Sequence, residues 1–388
     1  MASSLGSLWL KGLKRMTKAP RAQGRKLVKT LMAKTLRTLV TGTVPVANTQ
    51  GQAATARARK PSVATGPKRV KSLKPAGAFW QKSYFVTPET SQIAIPRRMM
   101  YWLYLPSGAK ARAPLPLVVM LHGCKQTACD IATATRMNAL AERKGFAVLY
   151  PHQSSAADSH RCWHWYKRSI QRGEGDVAMI AQMIAQVQTR YKLDATRTYA
   201  AGLSAGAALA NILALRHPTL IAAVGLHSAP VFGTSDSTLS AYRAMQSGSL
   251  HTHEAAAREF LAEQPAFPGM PVMVIHGERD AVVRRVNADQ LSQQFLLFNV
   301  AQLTATEPVR RLYAGRLTGR SPRPAHQTDT WYAKRKPYVV HCNISGLGHA
   351  WSGGDDSVDF TERAGPNASL MLWEFFEHHQ RLPVPEQG

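Results

Sequence analysis

Acidic residues, cysteines and long apolar runs are all scarce in this sequence. No stretch of 18 or more apolar residues occurs, which excludes an ordinary membrane-spanning helix. The 4 cysteines, Cys124, Cys129, Cys162 and Cys342, show no C-x-x-C and no paired histidines, so the common structural zinc patterns are excluded. Their number leaves open one disulfide, two, or buried free thiols. No internal repeat is present, which sets repeat architectures aside. Near the start, Lys11, Lys14 and Arg15 break the apolar runs, and no apolar core precedes a small-residue cleavage site. The sequence therefore reads as lacking a clear secretory leader.

The shortage of acid is uneven. Asp and Glu number 23 against 49 Lys and Arg, a formal net charge of +26 over 388 residues. Residues 1–75 hold 17 of the basic residues and none of the acidic ones, leaving the remaining 313 residues at +9. A basic arm of this kind favours an anionic surface, such as a lipid, a polymer granule or a polyanion. No specific nucleic-acid motif accompanies it. Within the arm Leu27, Val28, Leu31, Met32, Leu36, Leu39 and Val40 recur at helical spacing, with Lys26, Lys29, Lys34 and Arg37 between them. That pattern reads either as a basic amphipathic helix or as a solvated, partly disordered arm. Residues 41–76 have a linker composition, so the chain divides into an arm at 1–76 and a catalytic domain at 77–388.

From residue 77 short apolar runs alternate with helical periods. Arg98–Leu105, Pro116–Leu121, Phe146–Tyr150, Arg197–Leu203, Ala222–Leu226, Val272–His276 and Tyr338–Ile344 read as strands. Thr135–Gly145, Asp176–Tyr191, Ala205–His217, Asn287–Phe298 and Ala368–His379 read as helices. This alternation predicts an α/β fold, a mostly parallel central sheet with helices on both faces. Segment 231–269 fits the alternation poorly and reads as a cap or insertion.

Gly202-Leu203-Ser204-Ala205-Gly206 is a G-x-S-x-G pentapeptide placed between a strand and a helix. Such a turn lifts the serine above the sheet edge, and its small flanking residues let the chain double back. Serine needs a base. Asp280 ends the stretch Met270–Asp280, a strand and then a turn, while Glu278 and Asp289 compete for the acid's role. His349 lies in the Gly-rich stretch Ser345–Gly354 after a late strand, and is favoured over His341, His378 and His379. The amides of Ala205 and Cys124 are the expected oxyanion donors. No metal or organic cofactor is implied.

Four stretches in order, LHGCKQTACDIA (121–132), RCWHWY (161–166), AGLSAGAALA (201–210) and GLGHAWSGG (346–354), resemble the polyhydroxybutyrate depolymerase-type esterases of the α/β-hydrolase superfamily. The resemblance runs from about residue 80 to 380. It implies Ser204, Asp280 and His349 as the triad, Cys124 at the oxyanion position, and a disulfide between Cys124 and Cys162. Trp163, Trp165 and Trp351 would then wall the site for an acyl or polyester substrate. It implies ester hydrolysis, with 3-hydroxybutyrate polymer or oligomers as substrate and a feruloyl or acetyl carbohydrate ester as the alternative. A third reading, from another class, is a surface- or polyanion-binding protein acting through the arm. The resemblance suggests an extracellular setting; the missing leader points instead to a cytoplasmic or granule-associated one.

Overall fold

The computed structural model describes residues 78–88, 96–109, 114–249, 252–316 and 323–381. The amphipathic helix expected in the arm lies outside them. In chain order the elements are β1 (Phe79–Val86), β2 (Arg98–Leu105), β3 (Leu117–Leu121), α1 (Ala128–Thr135), α2 (Met137–Lys144), β4 (Ala147–His152), α3 (Arg168–Gln171), α4 (Asp176–Tyr191), β5 (Thr198–Leu203), α5 (Ala205–Arg216) and β6 (Ala223–His227). There follow α6 (Thr238–Ser247), α7 (His253–Glu263), β7 (Val272–Gly277), α8 (Val286–Phe298), β8 (Val309–Tyr313), β9 (His326–Ala333), β10 (Lys336–Ile344), β11 (Trp351–Ser352), β12 (Thr361–Glu362) and α9 (Ala368–Phe376).

Ten strands form one sheet in the order β1-β2-β4-β3-β5-β6-β7-β10-β9-β8. From β4 to β10 every neighbouring pair is parallel. The outer pairs on both sides are antiparallel. The parallel centre explains the unbroken apolar runs: β3, β5, β6 and β7 are buried at every position, because helices cover both faces. Each fully buried aliphatic side chain contributes about 1.5–3 kcal/mol.

Some expectations needed correction. The helix read at Thr135–Gly145 is α2, closed by Gly145, and a further helix, α1, precedes it, separated from it by Arg136 in a left-handed conformation (φ 53°). Thr127 and Asp130 form a capping box that starts α1 at Ala128, seven residues before the expected helix start at Thr135. Strands β1, β8 and β9 were not legible as strands. β8 (VRRLY) is exposed at every position, so no alternation of buried and open residues marks it. Its order comes from the ladder with β9, within which Arg310 pairs with Asp329 at 2.7 Å.

Segment 231–269, between β6 and β7, contains α6 and α7. An aromatic knot anchors it: Phe260 packs edge-on against Phe267 at 5.1 Å and against Phe298 of α8 at 5.2 Å. Gln246 near the end of α6 donates to the Val282 carbonyl at 2.9 Å, tying this segment to the loop after β7.

Candidate active site

The carboxyl ends of β3, β5, β6, β7 and β10 carry the chemistry-bearing residues. Ser204 follows β5 at φ 58°, ψ −122°, a strained conformation for a residue with a side chain. Two glycines make it feasible. A Cβ on Gly202 would lie 2.5 Å from the Gly206 carbonyl carbon. A Cβ on Gly206 would strike the Leu121 carbonyl and lie 2.5 Å from that of His122. The helix start is thus pressed against the end of β3, and the Ser204 amide donates to His227 O at 2.9 Å.

Asp280 lies in the loop after β7 and is 4% exposed. Its Oδ1 accepts from the amides of Val282 and Val283, both at 2.9 Å. Its Oδ2 meets His349 Nδ1 at 2.7 Å. Burial pushes the Asp280 carboxyl up, but His349, by charge and hydrogen bond, together with His276 and the Val283 amide, outweighs it; the net direction is down. With Nδ1 committed to the carboxylate, Nε2 is the nitrogen of His349 that can take a proton.

The loops bearing Asp280 and His349 are zipped together. Arg279 N donates to Leu347 O and Glu278 N to Ile344 O, each at 2.9 Å. The exposed Glu278 accepts from Gly346 N at 3.1 Å, so this competitor braces the histidine loop through its backbone. Asp289, the other competitor, sits on α8 with Arg285 at 3.7 Å and His341 at 4.0 Å. His379 is buried beyond α9, where its carbonyl accepts from Tyr199.

The turn after β3 is held on every side. Gly123 N donates to Gln126 Oε1 at 2.9 Å, and Lys125 N to His160 O at 2.6 Å. Between them the Cys124 amide has no protein acceptor among the described residues, and the same is true of Ala205 N. Cys124 is disulfide-bonded to Cys162, the pairing the resemblance implied. Cys129 and Cys342 are free.

Two of the three tryptophans are placed differently from the expected wall. Trp163 is fully buried and donates from its indole N–H to His122 O at 2.9 Å. Trp351 is also fully buried, stacked on His227 at 5.0 Å and bonded to Ser369 Oγ at 3.2 Å. Both present no surface to a substrate; they support the turns from beneath. Trp165 keeps 6% of its surface and lines a small cavity with Ala208, Asn211, Ile212 and Phe232.

Sequence reading missed His227 and His276. Each is the last or next-to-last residue of a wholly buried strand, β6 or β7. A histidine closing an apolar run at a carboxyl end was the available signal. His227 accepts Ser352 N–H on its Nε2 at 3.3 Å, and burial, chiefly, lowers its pKa to about 3, which keeps it neutral at ordinary pH.

A parallel-centred sheet with a strained serine elbow after its fifth strand is the architecture of an α/β-hydrolase. The acetyl xylan esterase from Aspergillus awamori shares this fold, with a TM-score of 0.57 at 19% identity over 76% of this chain and 99% of that one. Within that class the chain belongs to the PHB depolymerase esterase family, whose model matches residues 99–316. The matched span includes Cys124, Ser204, Ala205 and Asp280; His349 lies beyond it. Poly(3-hydroxyalkanoate) depolymerase C of Paucimonas lemoignei is 29% identical over 257 residues, 66% of this chain and 59% of that protein. Probable acetylxylan esterase A of Neosartorya fischeri is 28% identical over 268 residues, 66% of this chain and 67% of that protein. The chain thus spans less than two thirds of the depolymerase's length.

Proposed function

We propose that this protein hydrolyses carboxylic esters through an acyl-enzyme on Ser204. The 2.7 Å bond between Asp280 and His349, together with the strained elbow that carries Ser204 at the end of β5, supports this reading. His349 Nε2 takes the Ser204 proton as the hydroxyl oxygen attacks the ester carbonyl. The developing oxyanion is met by the amides of Ala205 and Cys124. His349 then gives its proton to the leaving alcohol, and water repeats the sequence to release the acid. Asp280 holds the imidazole and stabilises its charged form.

Short-chain 3-hydroxyacid polyesters or oligomers are the favoured substrates, supported by family membership. Acetyl or feruloyl carbohydrate esters form a second reading, favoured by the similarity to acetylxylan esterases along most of the domain. The charge of residues 1–75 supports docking of the arm on an anionic surface as a separate activity. Deleting residues 1–76 should abolish retention on anionic vesicles while ester turnover persists.

Hydrolysis of p-nitrophenyl butyrate by wild type and Ser204→Ala tests the central reading. The variant should be slower on the order of 10⁴-fold or more. Equal rates would remove Ser204 as nucleophile. Hydroxybutyrate oligomers set beside acetylated xylan and feruloyl sugars then separate the two substrate classes.

A further inference from the structure

We infer that His276 is a positioning residue for Asp280: its ring clasps the Asp280–Val283 loop and turns an N–H edge toward the carboxylate, keeping it aimed at His349. The inference rests on the triad reading above.

His276 lies on β7, four residues before Asp280, and is fully buried. Its Nε2 is 2.7 Å from the Val283 carbonyl, which can only accept, so Nε2 carries the proton. Val283 in turn donates its own N–H to Asp280 Oδ1 at 2.9 Å, and Asp280 N donates to Gly277 O at 3.1 Å. Histidine ring, loop and strand end thus close a circle around the acid. The same Nε2 is 3.6 Å from Asp280 Oδ2, too long for a hydrogen bond but close enough for the N–H dipole to act in a buried site. Asp280 therefore has three hydrogen-bond donors, two loop amides and His349, and the N–H dipole of His276 close by.

Val283 is buried as well, so an apolar side chain at 276 would leave its carbonyl without a donor. The groups electrostatically close to the His276 ring are Asp280, His349, His227 on β6, Asp289 on α8 and His341 on β10. Burial is the largest influence and keeps His276 neutral, so it does not compete with His349 for the carboxylate as a second cation.

The test compares wild type, His276→Leu, His276→Gln and His276→Asn by kcat, KM and the pH profile of kcat/KM on p-nitrophenyl butyrate. Losing the N–H edge makes the carboxylate more basic, which raises the proton affinity of the His349–Asp280 pair. His276→Leu should lower kcat on the order of 10-fold with KM little changed, and move the acid limb toward higher pH. Gln, whose amide N–H reaches toward Val283 O, should restore most of both. Asn, one bond shorter, should not, and this contrast stands if the Leu variant does not fold. A Leu profile superimposed on wild type overturns the inference, as does a pH-independent loss that Gln fails to rescue. Ser204→Ala, run alongside, separates the two failures: full activity there sinks the triad itself, whereas an inactive Ser204→Ala beside an unaltered His276→Leu sinks only the role of His276.

Discussion

The amide of Ser204 donates to the carbonyl of His227 at 2.9 Å, while the ring of His227 accepts the amide of Ser352 at 3.3 Å. One residue at the end of β6 therefore fixes both the backbone of the elbow and the loop that carries His349. His227→Phe keeps the carbonyl and the stack on Trp351, but leaves the buried Ser352 amide unpaired. That orphan costs about 1–3 kcal/mol. The expected outcome is a lower urea midpoint and a kcat reduced on the order of 10-fold, since the histidine loop drifts. An unaltered kcat would show that the loop needs no such anchor.

Two glycines near the site should behave oppositely. Gly206→Ala drives a Cβ into the carbonyls of Leu121 and His122, which are backbone atoms unable to rotate away. A loss of at least about 3 kcal/mol, or failure to fold, is expected. Gly348, beside His349, has nothing within 4 Å of an added Cβ. Gly348→Ala should change stability by no more than about 0.5 kcal/mol. Denaturant unfolding of both variants checks the contrast, and equal losses would contradict it.

Cys124 and Cys162 are 38 residues apart in sequence. Closing a loop of that length restricts the unfolded chain enough to stabilise the fold by about 2–4 kcal/mol. Cys124 also supplies the proposed oxyanion amide, so the same bond steadies a catalytic donor. Cys162→Ser should lower the unfolding midpoint and reduce kcat more than it raises KM. Wild type treated with dithiothreitol should move the same way, provided the bond is reduced, as thiol titration will report.

What the sequence revealed and what it hid follow from burial. Strands β3, β5 and β7 were readable because helices on both faces demand unbroken apolar runs there. The serine elbow was readable because its backbone conformation admits so few residues at 202 and 206. β8 and β9 lie at the sheet edge, where ladder bonds and the Arg310–Asp329 pair set the order and the side chains carry no period. Trp163 and Trp351 were misjudged because a sequence records that an indole is nearby, not which side of a turn it packs on. His276 and His227 were hidden for a related reason. Their roles come from contacts made across loops and strands distant in sequence.

Buried neutral histidines predict how the fold responds to acid. His122, His227 and His379 each have their pKa lowered from 6.5 to about 3, with burial the main cause. The unfolded chain binds protons at these sites near 6.5, whereas the native state resists until about 3. Their contribution is therefore fully present above about pH 6.5 and declines as pH falls toward about 3. At pH 5 these three sites alone bind three extra protons on unfolding, contributing a slope of about 4 kcal/mol per pH unit. Asp280 adds a further loss at lower pH, because its depressed carboxyl must protonate as well. Urea unfolding at pH 7, 6 and 5 should show a midpoint that falls at each step, with these three sites removing about 2 kcal/mol over the first and about 4 kcal/mol over the second. His379→Gln, remote from the catalytic loops, should reduce the slope by about 1.4 kcal/mol per pH unit, one proton's worth. A midpoint constant from pH 7 to 5 would mean that these histidines take up protons in the native state, and the buried-neutral account would be lost.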